Sequence, residues 1–134
     1  MTTETRLTIP GNPHAVHEAL RGLAEGALSG LAEAERNTAQ IVLAEVLNNI
    51  VEHAYAEQGG GIDLLLWVEA GGLRCVVTDR GAPMPSGRLP KGRSPHPGDL
   101  PQGGFGWFLI RSLARDLRYR RAEGRNELSF CLPS

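Results

Sequence analysis

The sequence is poor in the features that mark several protein classes. Of its 134 residues only two are cysteine and 5% are aromatic, so a disulfide framework or a Cys-rich metal module has no material to build on. Cys75 and Cys131 each lie in an apolar, strand-like run without C-x-x-C spacing, and they read as reduced core fillers. His14, His17, His53 and His96 are too scattered to suggest zinc. No stretch approaches the roughly 20 apolar residues of a membrane span, and no N-terminal apolar run resembles a signal peptide, so a soluble, cytoplasmic protein is expected. Repeats and long linkers are absent, and one domain over residues 1–134 is expected. A net charge of −1 with 41% hydrophobic residues predicts neither disorder nor direct nucleic-acid binding.

The near-neutral total conceals two unlike halves. Through Asp79 four Arg stand against eleven acids, a balance of −7, whereas from Arg80 onward ten Lys or Arg stand against four acids, a balance of +6. The plain reading is two differently charged solvated surfaces. The sharper one is that the C-terminal half meets an anion, such as a triphosphate or an acidic partner.

Periodicity orders the elements. Alternation over Arg6-Leu-Thr-Ile9 predicts a strand, followed by a helical stretch from about His14 to Ala27. A stronger helix is predicted from about Glu33 to Tyr55, stopped by Gly59-Gly-Gly61. Ile62 to Glu69 and Leu73 to Thr78, separated by Gly71-Gly72, read as an antiparallel hairpin. Arg80 to Gln102, rich in Gly and Pro, reads as a long loop of the kind that carries function. Trp107 to Arg115 reads as helix, and Leu117 to Arg121 with Glu127 to Leu132 as a last hairpin turning at Gly124. This order implies a two-layer α/β sandwich, helices on one face of a mixed, mostly antiparallel sheet.

Three patches carry chemistry. On the long helix, Glu45, Asn48, Asn49, Glu52 and His53 share one side, and no Lys or Arg occurs from Asn37 to Tyr55, although solvent faces normally include them. An acid with an amide one turn on suits magnesium-dependent chemistry: the amide oxygen is a hard ligand, and the carboxylate can orient or deprotonate a nucleophile. Asp79 ends a buried strand before Arg80-Gly81, where it either caps a turn or accepts a hydrogen bond from the exocyclic amine of adenine. Gly103, Gly104 and Gly106 precede an apolar helix, a place where converging N–H groups and the helix dipole favour phosphate. The spacing is neither a dinucleotide fingerprint nor a P-loop.

Taken together, Glu45-Val-Leu-Asn-Asn-Ile-Val-Glu-His-Ala-Tyr55, Asp79-Arg-Gly-Ala-Pro83 and Gly104-Phe-Gly-Trp-Phe-Leu-Ile110 resemble the N, G1 and G2 boxes of the GHKL ATPases. The His-Ala-Tyr ending at Tyr55, and the G2 segment running into Gly124-Arg-Asn-Glu-Leu128, are similar to the RsbW-type anti-sigma factor serine kinases. The resemblance implies a Bergerat-type fold binding ATP and Mg²⁺, with Glu45 as general base and Asn49 as metal ligand. It further implies nucleotide contacts from Asn49, His53, Asp79, Gly81, Gly104, Phe105, Gly106 and Asn126, and an ATP lid over about residues 80–102. The implied partners are a sigma factor, an anti-anti-sigma (STAS-type) protein carrying the target serine, and a second copy of the chain in a homodimer. Pro83 stands where many relatives have a second G1 glycine, Gln102 where some have Arg, and Asn126 near where a Thr often lies beside adenine. Arg88, Lys91 and Arg93 are the cations that could substitute for the missing Arg. Two rival functions are an ATP-binding regulatory module without phosphotransfer and a detached histidine-kinase catalytic domain.

Overall fold

The computed structural model describes residues 3–55, 59–70, 72–90 and 105–133. Strand β1 (Thr3–Pro10) passes through Gly11 to Asn12, whose side-chain oxygen accepts from the Ala15 N–H at 2.8 Å and caps α1 (Pro13–Glu25). Pro13 sits in the first turn, where a missing N–H costs nothing. Helix α2 (Glu33–Asn49) has no side-chain cap, but Glu33 and Glu35 place negative charge at the positive end of its dipole.

The sequence pattern predicts α-helix up to Tyr55, and here the structure differs. After Asn49 the chain widens into a π-helical turn, Ile50–Ala54, closed by the Tyr55 N–H on the Ile50 carbonyl at 3.0 Å. Strands β2 (Gly61–Glu69) and β3 (Gly72–Asp79) form the expected hairpin. Helix α3 (Phe105–Leu113) ends two residues before the expected limit, because Arg115 already begins β4 (Arg115–Ala122). A register irregularity between Arg115 and Arg118, with Asp116 at φ 53°, marks that abrupt entry. Strand β5 (Arg125–Pro133) follows a tight turn in which Glu123 and Gly124 both have positive φ, the geometry that matches the twist of paired strands.

The strands lie in the order β1-β2-β3-β5-β4 and all four pairings are antiparallel. The expected α/β sandwich is therefore borne out, with no parallel pair among the described strands. Tight hairpins join β2 to β3 and β4 to β5, and such connections produce only antiparallel neighbours.

Period-two alternation sends one face of each strand into the core. Leu64, Val77 and Leu128 are register partners across three strands, and all are buried. Against them pack Val42, Leu43, Val46 and Leu47 of α2, each at most 1% exposed. Cys75 lies in this core, where burial pushes its thiol well above the usual range, consistent with an inert filler; Cys131 is half-buried. On the other face Thr8, Asp63, Thr78, Glu127 and Arg120 form a polar row, and Arg118 and Arg120 project outward as expected. Among the described residues no helix is long and apolar enough to cross a membrane.

Two substitutions probe this packing in opposite directions. Leu47→Ala removes a fully buried side chain and is expected to cost about 2–5 kcal/mol in denaturant unfolding. Gly22→Ala, in the middle of α1 where a Cβ meets nothing within 4 Å, is expected to stabilise by about 0.5–1 kcal/mol through helix propensity.

Candidate functional site

One rung of the sheet ends the core. Ile9, Ile62, Asp79, Asn126 and Arg121 are successive register partners across all five strands. The first two continue the apolar interior. Asp79 and Asn126, 5% and 6% exposed, are the buried polar residues among those described.

Their burial is compensated by a dense set of hydrogen bonds. Asp79 Oδ1 accepts from the Gly81 N–H at 2.8 Å and from Asn126 Nδ2 at 2.8 Å. Asn126 Nδ2 also donates to the Ala82 carbonyl at 2.9 Å. Asn126 Oδ1 accepts from the Tyr119 hydroxyl at 2.5 Å and from Arg121 Nη1 at 3.1 Å. Tyr119 in turn accepts from the Met84 N–H at 3.0 Å, and Arg121 donates to the Gly81 carbonyl at 2.6 Å. The chain from Asp79 to Met84 is thus held by side chains of β4 and β5.

The helical end closes on the same segment. The π turn presents the Ala54 carbonyl to the Ala82 N–H at 2.9 Å. The Tyr55 hydroxyl accepts from the Arg80 N–H at 2.8 Å and donates to the Gly61 carbonyl at 2.7 Å. Gly81 lies so close to the Ala54 carbonyl that a Cβ there would overlap it. This close approach requires glycine for lack of a side chain, not for an unusual φ.

Between the π turn, the rung and α3 lies a cleft of about 340 Å³. Val46, Asn49, Ile50, His53 and Ala54 form one wall, Asp79 with Ala82 to Pro85 another, and Trp107, Tyr119, Asn126 and Leu128 the rest. Mostly apolar walls with a few converging polar groups suit a small ligand. A wider depression of about 770 Å³ adjoins it across Ala54 and Asp79, bordered by Thr8, Gly59, Gly60, Gly61, Asp63 and Arg80. Its floor is more polar and it is the more open of the two, so the smaller cleft is the better-formed candidate.

The sequence-predicted residues are partly brought together here. Asn49, His53, Asp79 and Asn126 line the cleft, and Gly81 turns the chain beside Asp79. Glu45 is half-buried one turn away on α2, its carboxylate lying where a Cβ on Gly106 would stand. Phe105 opens α3, whereas Gly104, Lys91, Arg93 and the lid residues 91–102 lie outside the described residues. Arg88 is exposed after a 3-10 turn over Pro85–Gly87. Beyond it, Arg111 of α3 donates to the Pro90 and Leu89 carbonyls at 2.7 and 3.2 Å. No Lys or Arg lines the smaller cleft among the described residues; Arg115, Arg118, Arg120, Arg121 and Arg125 lie on the exposed last hairpin. For Arg115, Arg118, Arg120 and Arg125 the plain reading of the charge asymmetry holds, whereas Arg121 is engaged with the Gly81 carbonyl and Asn126.

Sequence reasoning missed Tyr55, Arg111, Tyr119 and Arg121. For Tyr119 and Arg121 a signal existed, since a turn at Gly124 sets Arg121 opposite Asn126. For Arg111 nothing in the pattern separated a loop-holding arginine from a solvated one.

Among the described residues no group of three or more His, Cys, Asp or Glu could hold a metal. Magnesium accepts one or two protein ligands and completes its shell with phosphates and water. Asn49 on the cleft wall therefore fits an ion that arrives with a triphosphate, and the donor set does not fit a permanent metal centre.

Residues 9–132 match the histidine kinase-like ATPase domain family. Curated relatives named serine-protein kinase RsbW, from Bacillus thuringiensis (strain Al Hakam) and Bacillus cereus (strain 03BB102), are 29% identical over 104 residues. That match covers 74% of this chain and 65% of each relative, just under two thirds of their length. In structure the chain is similar to the RsbU and RsbW domains of a Mycobacterium tuberculosis protein, with a TM-score of 0.68 at 18% identity. That likeness, a likeness of fold, covers 98% of this chain and 32% of the other.

Two glycines that look alike in sequence are expected to respond differently to alanine. At Gly81 the added methyl meets a backbone carbonyl that cannot move away, and Gly81→Ala should lower stability by about 1–3 kcal/mol. At Gly106 it meets the end of a flexible Glu45 side chain, so Gly106→Ala should unfold near the parent midpoint while displacing that carboxylate. Paired denaturant titrations check this, and equal losses at both positions would contradict the geometry.

Proposed function

The chain belongs to the histidine kinase-like ATPase domain family, and on that premise we propose that it is an ATP-dependent serine/threonine protein kinase acting as an anti-sigma regulator. In this reading it binds a sigma factor and phosphorylates a serine of an anti-anti-sigma, STAS-type partner, working as a homodimer in the cytoplasm. The relatives' name, serine-protein kinase RsbW, supports the reading. The observation that carries it is the pairing, across one cleft of about 340 Å³, of a buried carboxylate with a helix face bearing an amide and, one turn away, an acid.

Each residue has a distinct task. Asp79 accepts from the 6-amino group of adenine through Oδ2, which has no protein donor among the described residues. Gly81 permits the close approach of its segment to the helix end. Asn49 offers its amide oxygen to Mg²⁺, an ion that neutralises charge on the phosphates when bound. By the resemblance Gly104, Phe105 and Gly106 serve the phosphates; of these Phe105 and Gly106 open α3, whose first N–H groups favour an anion, and His53 on the cleft wall orients it. Glu45 takes the proton of the incoming serine hydroxyl as its oxygen bonds to the γ-phosphorus. The bond to the β,γ-bridging oxygen breaks and ADP leaves with the electron pair.

The direct experiment incubates the protein with γ-labelled ATP and candidate partners. Acid-stable label on a partner serine supports the kinase reading. Acid-labile label on histidine would assign a histidine-kinase catalytic domain, and no transfer despite tight ATP binding would assign a regulatory module.

Substitutions on α2 separate the two chemical tasks. Asn49→Ala is expected to weaken Mg-ATP binding itself, with phosphotransfer falling as a consequence. Glu45→Ala is expected to keep near-parental ATP affinity and lose roughly 10²- to 10⁴-fold in single-turnover phosphotransfer, the usual worth of a positioned base. A Glu45→Ala protein that phosphorylates as fast as the parent would remove the base from this scheme.

A further inference from the structure

A carboxylate at the floor of a cleft can recognise a purine in two ways. With both oxygens free it accepts two parallel N–H bonds, which suits the N1–H and 2-amino group of guanine. With one oxygen free it accepts a single bond, which suits the 6-amino group of adenine. Asp79 by itself does not choose between them.

The choice is made by Asn126. Its orientation follows from what its neighbours can do. Arg121 Nη1, at 3.1 Å, can only donate. The Tyr119 hydroxyl already accepts from the Met84 N–H at 3.0 Å, so its own proton points at Asn126, 2.5 Å away. Both therefore meet the amide oxygen. The opposite end of the amide faces Asp79 Oδ1 at 2.8 Å and the Ala82 carbonyl at 2.9 Å, which only accept, and it must be the NH₂. Turning the amide over would set donors against donors and acceptors against acceptors in a site 6% exposed.

Asn126 consequently has no hydrogen-bonding capacity left for a ligand, although it borders the cleft. Its effect falls on Asp79. Oδ1 is filled by Asn126 Nδ2 and the Gly81 N–H, both at 2.8 Å, and Oδ2 is left as the acceptor. We propose that Asn126, held in place by Tyr119 and Arg121, is a specificity-determining positioning residue. It reduces Asp79 to a single acceptor and makes the cleft select a 6-aminopurine over a 6-oxo-2-aminopurine. The proposal rests on the reading of this cleft as a nucleotide site.

The test is equilibrium binding of Mg-ATP and Mg-GTP to the full chain, its Asn126→Ala variant and its Tyr119→Phe variant. The parent is expected to prefer ATP. Asn126→Ala frees a position on Oδ1, so GTP should bind more tightly and the ATP preference should fall by on the order of tenfold, the worth of about one hydrogen bond. Tyr119→Phe removes the proton that fixes the amide, and the preference should fall in the same direction by less. A merely structural role would weaken both nucleotides and leave GTP no better bound. If Asn126→Ala does not fold, as circular dichroism would show, Tyr119→Phe decides alone. Unchanged or weaker GTP binding in the folded variants, with ATP binding intact in the parent, overturns the proposal and leaves the nucleotide reading standing. A parent that binds neither nucleotide overturns both.

Discussion

The hydrogen bond between Asn126 and Asp79 is the interaction on which the rest of this end of the molecule depends. A carboxylate taken out of water on the last rung of a hydrophobic sheet needs donors, because an unpaired buried charge costs several kcal/mol. The donors come from a backbone turn at Gly81 and from a side chain on the neighbouring strand. Each requirement propagates. The turn at Gly81 needs room beside the Ala54 carbonyl, and Asn126 needs its own oxygen satisfied by Tyr119 and Arg121. The polar site therefore extends the packing of the core, each partner constraining the next.

On the proposed reading, two parts of the molecule with different mechanical character divide the chemistry. The base-recognition end belongs to the antiparallel sheet and shares its rigidity. The transfer end lies between α2 and α3, where Glu45 and Gly106 face one another. Arg111 bonding the carbonyls of Leu89 and Pro90 ties α3 to the segment that leaves the adenine end, so the two parts share a physical link.

Much of this was legible from residue patterns. The hairpins were readable because alternation with period two is sharp and Gly124 marks its turn, and only their ends shifted, by at most two residues. That Asp79 and Asn49 would sit together on a cleft was readable because a polar residue ending an apolar strand, or an amide on a helix face free of Lys and Arg, needs a reason. The π turn was not readable: Ile50 to Ala54 fits an α-helical period as well as a wider one, and the turn depends on partners far away in sequence. Asn126 was marked through the resemblance as a nucleotide contact and as a departure from a Thr, whereas its contacts to Tyr119 and Asp79 are not something a linear pattern expresses.

The wide turn at Ile50–Ala54 also means that this stretch stores information as a count of residues. Ile50 is buried and lines the cleft with His53 and Ala54, whereas half-buried Val51 and exposed Glu52 leave more latitude for other residues. The length of the stretch is another matter, because a hydrogen bond spanning one more residue than in an α-helix sets the phase at which the Ala54 carbonyl meets the Ala82 N–H after β3. A codon lost from this stretch would leave a better α-helix and a worse protein. Evolutionary drift in this segment should therefore run through substitutions and avoid insertions and deletions.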